Sequence, residues 1–192
     1  MAHQLGEVAV LVGAGARQGT LAAAARLERI ISDLHDLSAE VRSTAVLDVG
    51  VEAVAAAERL SVPGRPVSVV VEGAVPPVDA DQALLAALLG HVMRPVVAAS
   101  RDGARFRLRA GPAEGGRILI EIEDEMGASS DEDARRRLAP FARPEGSGSV
   151  LGAGVSGPAA RRIVEAHGGE LRAHGGDRGL VVTFDLPAAS SE

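Results

Sequence analysis

Apolar residues at helical spacing open the chain, and a change of pattern near residue 49 divides it. Leu27, Ile30, Leu34, Leu37 and Val41 recur at intervals of 3, 4, 3 and 4. This heptad seam predicts a helix from near Thr20, a suitable N-cap, to about Arg42. Leu5, Val8 and Val12 carry helical spacing in an earlier segment, His3 to about Ala16, so residues 1–45 read as a helical hairpin. Two such helices cannot bury their seams alone; pairing two hairpins into a four-helix bundle predicts a homodimer. Ser43–Leu47 reads as a linker.

Beyond it the pattern predicts helices at Val49–Leu60, about 79–98, Asp131–Leu138 and Pro158–His167, the last stopped by Gly168-Gly169. Between them, Val67–Glu72, Ala104–Ala110, Arg117–Glu123, Glu170–His174 and Leu180–Leu186 read as strands. Helices alternating with mainly antiparallel strands predict an α/β fold: a two-layer sandwich over residues 46–188, with 189–192 as a tail.

Composition narrows the partners. With 192 residues, 46% hydrophobic, the chain can bury the core of one domain plus an appendage. Trp and Tyr are absent and Phe is rare, so Val, Leu, Ile and Ala must build that core. The lack of Cys excludes disulfides and thiolate–metal chemistry. A net charge of −6 without aromatic platforms argues against nucleic acid. No run reads as the roughly 18 uncharged apolar residues of a membrane span. No signal pattern opens the chain, so a cytoplasmic protein is expected.

Two glycine runs invite chemistry. VLVGAGARQGT, residues 10–20, has the look of a dinucleotide-binding turn, but no second strand ending in an acidic residue follows it. Gly152-Ala153-Gly154-Val155-Ser156-Gly157 leads into the helix at Pro158, where backbone N–H groups and the helix dipole suit a phosphate.

RRIVEAHGGELRAH and GLVVTFDLP, residues 161–174 and 179–187, resemble the C-terminal end of the ATP-binding domain of sensor histidine kinases. From about residue 49 to 187 the order of elements is similar to that GHKL-type (Bergerat) domain. DLHDLSAEV, residues 33–41, resembles the stretch closing the dimerisation and phosphotransfer hairpin of these kinases. AHQLGEVAVL resembles their H-E-L-R-T-P-L box, which makes His3 the phosphoacceptor candidate, with Gln4 where the family has an acidic residue. His35 is the rival: LHD resembles the box of a second kinase subfamily, and Asp36 beside it could orient the ring.

The same resemblance locates a nucleotide site and its losses. In the family's N-L-L-x-N-A box the second Asn binds Mg²⁺; in LLGHVMRPVV, His91 and Pro95 occupy the two Asn positions. Pro95 has no side-chain oxygen for a hard cation and should disturb its helix, and His91 reads as a core or surface residue. Asp124 matches the residue that accepts the adenine amino group, but Met126 and Ala128 replace glycines where backbone approaches the nucleotide. Met126 is expected to project into or against the purine pocket. The lid keeps Gly152, Gly154 and Gly157, with Ser156 at its third glycine, and Phe141 matches the hinge phenylalanine.

Phosphoryl transfer depends on positioning and on metal neutralising charge, so loss of the metal ligand removes the largest electrostatic contribution. The expectation is a degenerate histidine-kinase core, with no metal and no cofactor. It would act as a histidine phosphotransferase or pseudokinase scaffold that docks a response-regulator receiver domain. The alternatives are an ATP- and Mg²⁺-dependent sensor histidine kinase, or a nucleotide-binding interaction module.

Overall fold

Strict alternation builds the central sheet. In a computed structural model, residues 31–139 and 155–190 are described, with Thr20, Ala23, Ala24, Leu27 and Glu28 before them. His3, the first hairpin segment, Phe141, Gly152 and Gly154 lie outside the described residues. Strand β4, Ala104–Ala113, buries Ala104, Phe106 and Leu108, and β5, Arg117–Asp124, buries Ile118, Ile120 and Ile122. On the other face Arg107 stands opposite Glu123 and Arg109 opposite Glu121 in register; Arg107 pairs with Glu72 and Glu125, and Arg109 with Glu72 and Glu121. With β2 (Val67–Val71), β6 (Leu171–Gly175) and β7 (Leu180–Pro187) the order is β2-β4-β5-β7-β6; β2 runs parallel to β4 and every other pair is antiparallel.

Helices form the second layer. The described residues from 20 to 36 are helical and constitute α1; α2 is Val49–Leu60, α3 Gln82–Ala99, α4 Asp131–Leu138 and α5 Ser156–Ala166. Helix α3 packs against both α2 and α5. Phe106, Phe184, Leu88, Leu89, Ile120 and Ile163 share one core. The α/β sandwich read from the sequence is therefore present. Gly168, with φ +71°, supplies the left-handed turn ending α5, whose Gly169 N–H reaches back to Val164 C=O.

Four expectations need correction. Helix α1 ends at Asp36 rather than about Arg42: the N–H groups of Leu37, Ser38 and Ala39 bond three residues back, to Leu34, His35 and Asp36 C=O, and Arg42 N–H donates to Asp81 Oδ2 (3.3 Å). The supposed linker contains β1, Ala45–Leu47, which pairs antiparallel with β3, Val78–Ala80. Pro95 does not break α3, which continues to Ala99. An interior proline costs about 3 kcal/mol, whereas Leu85, Leu88, Leu89 and Met93 are each almost wholly buried, contributing about 1.5–3 kcal/mol apiece. Finally, α3 is long and apolar enough to cross a membrane by length and composition alone. Its buried residues instead belong to the core shared with the sheet.

Candidate functional site

Asp124 ends β5 and is only 2% exposed. Its Oδ1 accepts from the N–H groups of Met126 and Leu180, both at 3.2 Å, which ties the turn after β5 to the start of β7. Gly179 makes this possible: a Cβ there would lie 2.0 Å from the Asp124 carbonyl oxygen. The left-handed glycine of the turn is Gly127, φ +96°, whose N–H donates to Arg178 C=O at 2.7 Å. Met126, placed by sequence against a purine pocket, stands 42% exposed.

Helix α5 begins at Ser156, two residues before the predicted start, so Pro158 falls within the first turn. Ser156 is half-buried and Gly157 buried. The N-cap, Val155, offers no side-chain hydrogen bond. First-turn N–H groups therefore keep the capacity to face an anion.

Helix α3 starts from Asp81, whose carboxylate accepts from Ala83 and Leu84 N–H. Burial pushes the Asp81 carboxyl up, but the N–H groups of Leu84, Arg42, Ser43 and Ala83 outweigh it and hold the pKa below the ordinary value. His167 supports the same helix start. Its Nε2 accepts from Asp81 N–H (3.1 Å), so Nδ1 carries the proton and donates to Ile163 C=O (2.8 Å). Sequence reading took His167 only as the end of a helix.

Nine residues into α3 stands His91, its side chain 1% exposed. Its Nε2 lies 2.9 Å from Asp36 Oδ2, and its Nδ1 lies 3.8 Å from Asp33 Oδ1. Arg94, one turn on, donates to Asp33 Oδ1 at 2.8 Å. Asp36 was expected to serve His35, but consecutive helical residues point about 100° apart. Its carboxylate meets His91, while His35 is exposed. Sequence reading passed over Asp33 and Arg94. The available signal was two acids three apart on α1 opposite a basic pair three apart on α3, a pattern that names contacts only once the helices are known to meet. Pro95 is exposed and brings no oxygen to this face.

Residues 80–190 match the family described as "Histidine kinase-, DNA gyrase B-, and HSP90-like ATPase". The C4-dicarboxylate transport sensor protein DctS of Rhodobacter capsulatus is 34% identical over 126 residues, or 61% of this chain. The chain spans only 18% of that relative's length. Among solved structures, the Acinetobacter baumannii histidine kinase AdeS has a TM-score of 0.66 at 16% identity, covering 90% of this chain and 84% of AdeS. Full-length ShkA, solved in complex with AMPPNP, gives 0.65 at 20% identity, covering 86% of this chain and 36% of ShkA. The mycobacterial sensor histidine kinase MprB gives 0.59 at 19%, covering 77% of this chain and 99% of that one. At such identities these structures establish the fold alone.

Proposed function

The chain belongs to the histidine kinase-, DNA gyrase B- and HSP90-like ATPase family, and from that premise we propose a two-component signalling protein whose nucleotide site has degenerated. It acts as a dimer in the cytoplasm, docking a response-regulator receiver domain as a histidine phosphotransferase or as a pseudokinase scaffold.

One observation carries this reading. At the two positions matching the family's Asn residues, His91 is buried and engaged by Asp36, and Pro95 has no oxygen to give. A nucleotide phosphate approaching position 91 would meet the end of α1 already there. The residues present do not fit magnesium with a triphosphate, and Asp124 alone cannot neutralise the charge that develops in phosphoryl transfer.

Relay needs neither group. An imidazole nitrogen attacks the phosphorus of a receiver's aspartyl phosphate; a P–N bond forms, the P–O bond breaks and the carboxylate leaves. The ring then loses its N–H proton to water. His35, exposed on α1, is sterically available for this, and His3 remains the other candidate. Incubation with a phosphorylated receiver should label the protein, and His3→Ala and His35→Ala should show which ring carries the label. Equal labelling of both variants would remove both residues from the site.

A working ATP-dependent kinase is the second reading. It is favoured by the buried, hydrogen-bonded Asp124 and by the start of α5 at Ser156 and Gly157. The naming of DctS as a sensor and the nucleotide in ShkA support the same alternative.

A further inference from the structure

Between α1 and α3 lies a largely buried cluster that takes no part in the relay. Asp33 and Asp36 sit one turn apart on α1 and face His91; Asp33 is 3% exposed. A carboxylate only accepts, so in the 2.9 Å contact with Asp36 the proton belongs on His91 Nε2. Nδ1 is then either an open lone pair or the site of a second proton. It is buried, has no hydrogen-bond partner among the described residues, and points toward Asp33 Oδ1 at 3.8 Å. Arg94 already balances the charge of Asp33 Oδ1, but a buried ring nitrogen without a partner beside a carboxylate oxygen has the donor pair that a cation or a proton would bridge.

We propose that His91 Nδ1 and Asp33, with Asp36 orienting the ring from the Nε2 side, form a binding site for a divalent transition-metal ion of the zinc type, which pins α1 to α3. One donor atom from each residue lies within 4.8 Å of the others. Metal–ligand bonds of about 2.0–2.2 Å place neighbouring donors roughly 3–4 Å apart, so a modest side-chain adjustment closes the site. An imidazole donor selects zinc, nickel or cobalt over magnesium. Asp36, accepting from Nε2–H, fixes the ring and its tautomer from the side opposite the ion. Arg94 now balances Asp33; its side chain is 31% exposed, so it can turn outward when an ion brings its own charge. The site would couple metal supply to the docking of α1, the helix that presents His35, and it stands whether or not His35 relays phosphate.

Calorimetric titration of the metal-stripped full chain with zinc chloride, and separately with magnesium chloride, tests this near neutral pH. One zinc ion per chain should bind, magnesium should give no heat, and zinc should raise the melting temperature. His91→Asn and Asp36→Asn should each weaken zinc about tenfold or more, while His35→Ala, on the exposed side, binds as wild type. Circular dichroism establishes whether the variants fold. If they do not, the His91 ring ¹⁵N resonances of the wild-type chain decide, because zinc should shift them. No zinc binding, binding indifferent to His91→Asn and Asp36→Asn, or unshifted His91 resonances would overturn the site; a proton on Nδ1 would then be what fills the gap.

Discussion

Asp81 illustrates how one side chain serves several elements. It caps α3, accepts from the Arg42 N–H in the segment after α1, and lies beside the His167 ring that holds its own N–H. Asp81→Ala should therefore cost more than an ordinary N-cap, about 2 kcal/mol or above, measured by urea unfolding. Asp185 makes a comparable junction: it accepts from Glu170 N–H and from Arg117. Burial pushes its carboxyl up, but those two donors more than offset it, and its pKa lies below the ordinary 3.8. A depressed folded pKa means stabilisation that is complete above the unfolded value and lost as pH falls through the folded one. Unfolding followed at descending pH should show wild-type stability declining below about pH 4, and Asp185→Asn should flatten that decline while lowering stability at neutral pH.

Among the elements, α3 shows what pattern can and cannot reveal. Its place and length were legible, because burial of Leu85, Leu88, Leu89 and Met93 dictates a helical period. Its span past Pro95 was read as well, and the disturbance expected there does not end the helix, because tertiary burial outweighs local propensity. β1 and β3 were missed because three-residue strands carry too few positions to show alternation. The candidate site divides the same way. Asp124 and the start of α5 follow from local sequence, whereas the meeting of Asp33 and Asp36 with His91 spans 55 residues or more and needed the packed structure. Pro95 denies α3 one backbone hydrogen bond, so Pro95→Ala should raise stability by about 1–3 kcal/mol, with no gain in nucleotide affinity.

At the scale of the whole molecule, Leu27, Ile31 and Leu34 leave an exposed apolar stripe on α1 while the sandwich buries its own core. A second copy is the occupant expected of such a seam. Light scattering should report a dimer for the wild-type chain and a monomer for Ile31→Glu, because a charge placed in the seam loses the hydration it would keep in the monomer. On the proposed reading, the sandwich would serve as a platform that carries α1, and signalling would depend on what α1 docks against.

Titration with ATP in the presence and absence of magnesium addresses the degenerate site directly. With Pro95 and an engaged His91 on α3, no magnesium-dependent heat should appear at micromolar nucleotide. Micromolar binding that requires magnesium would contradict the account and return the chain to the working kinases.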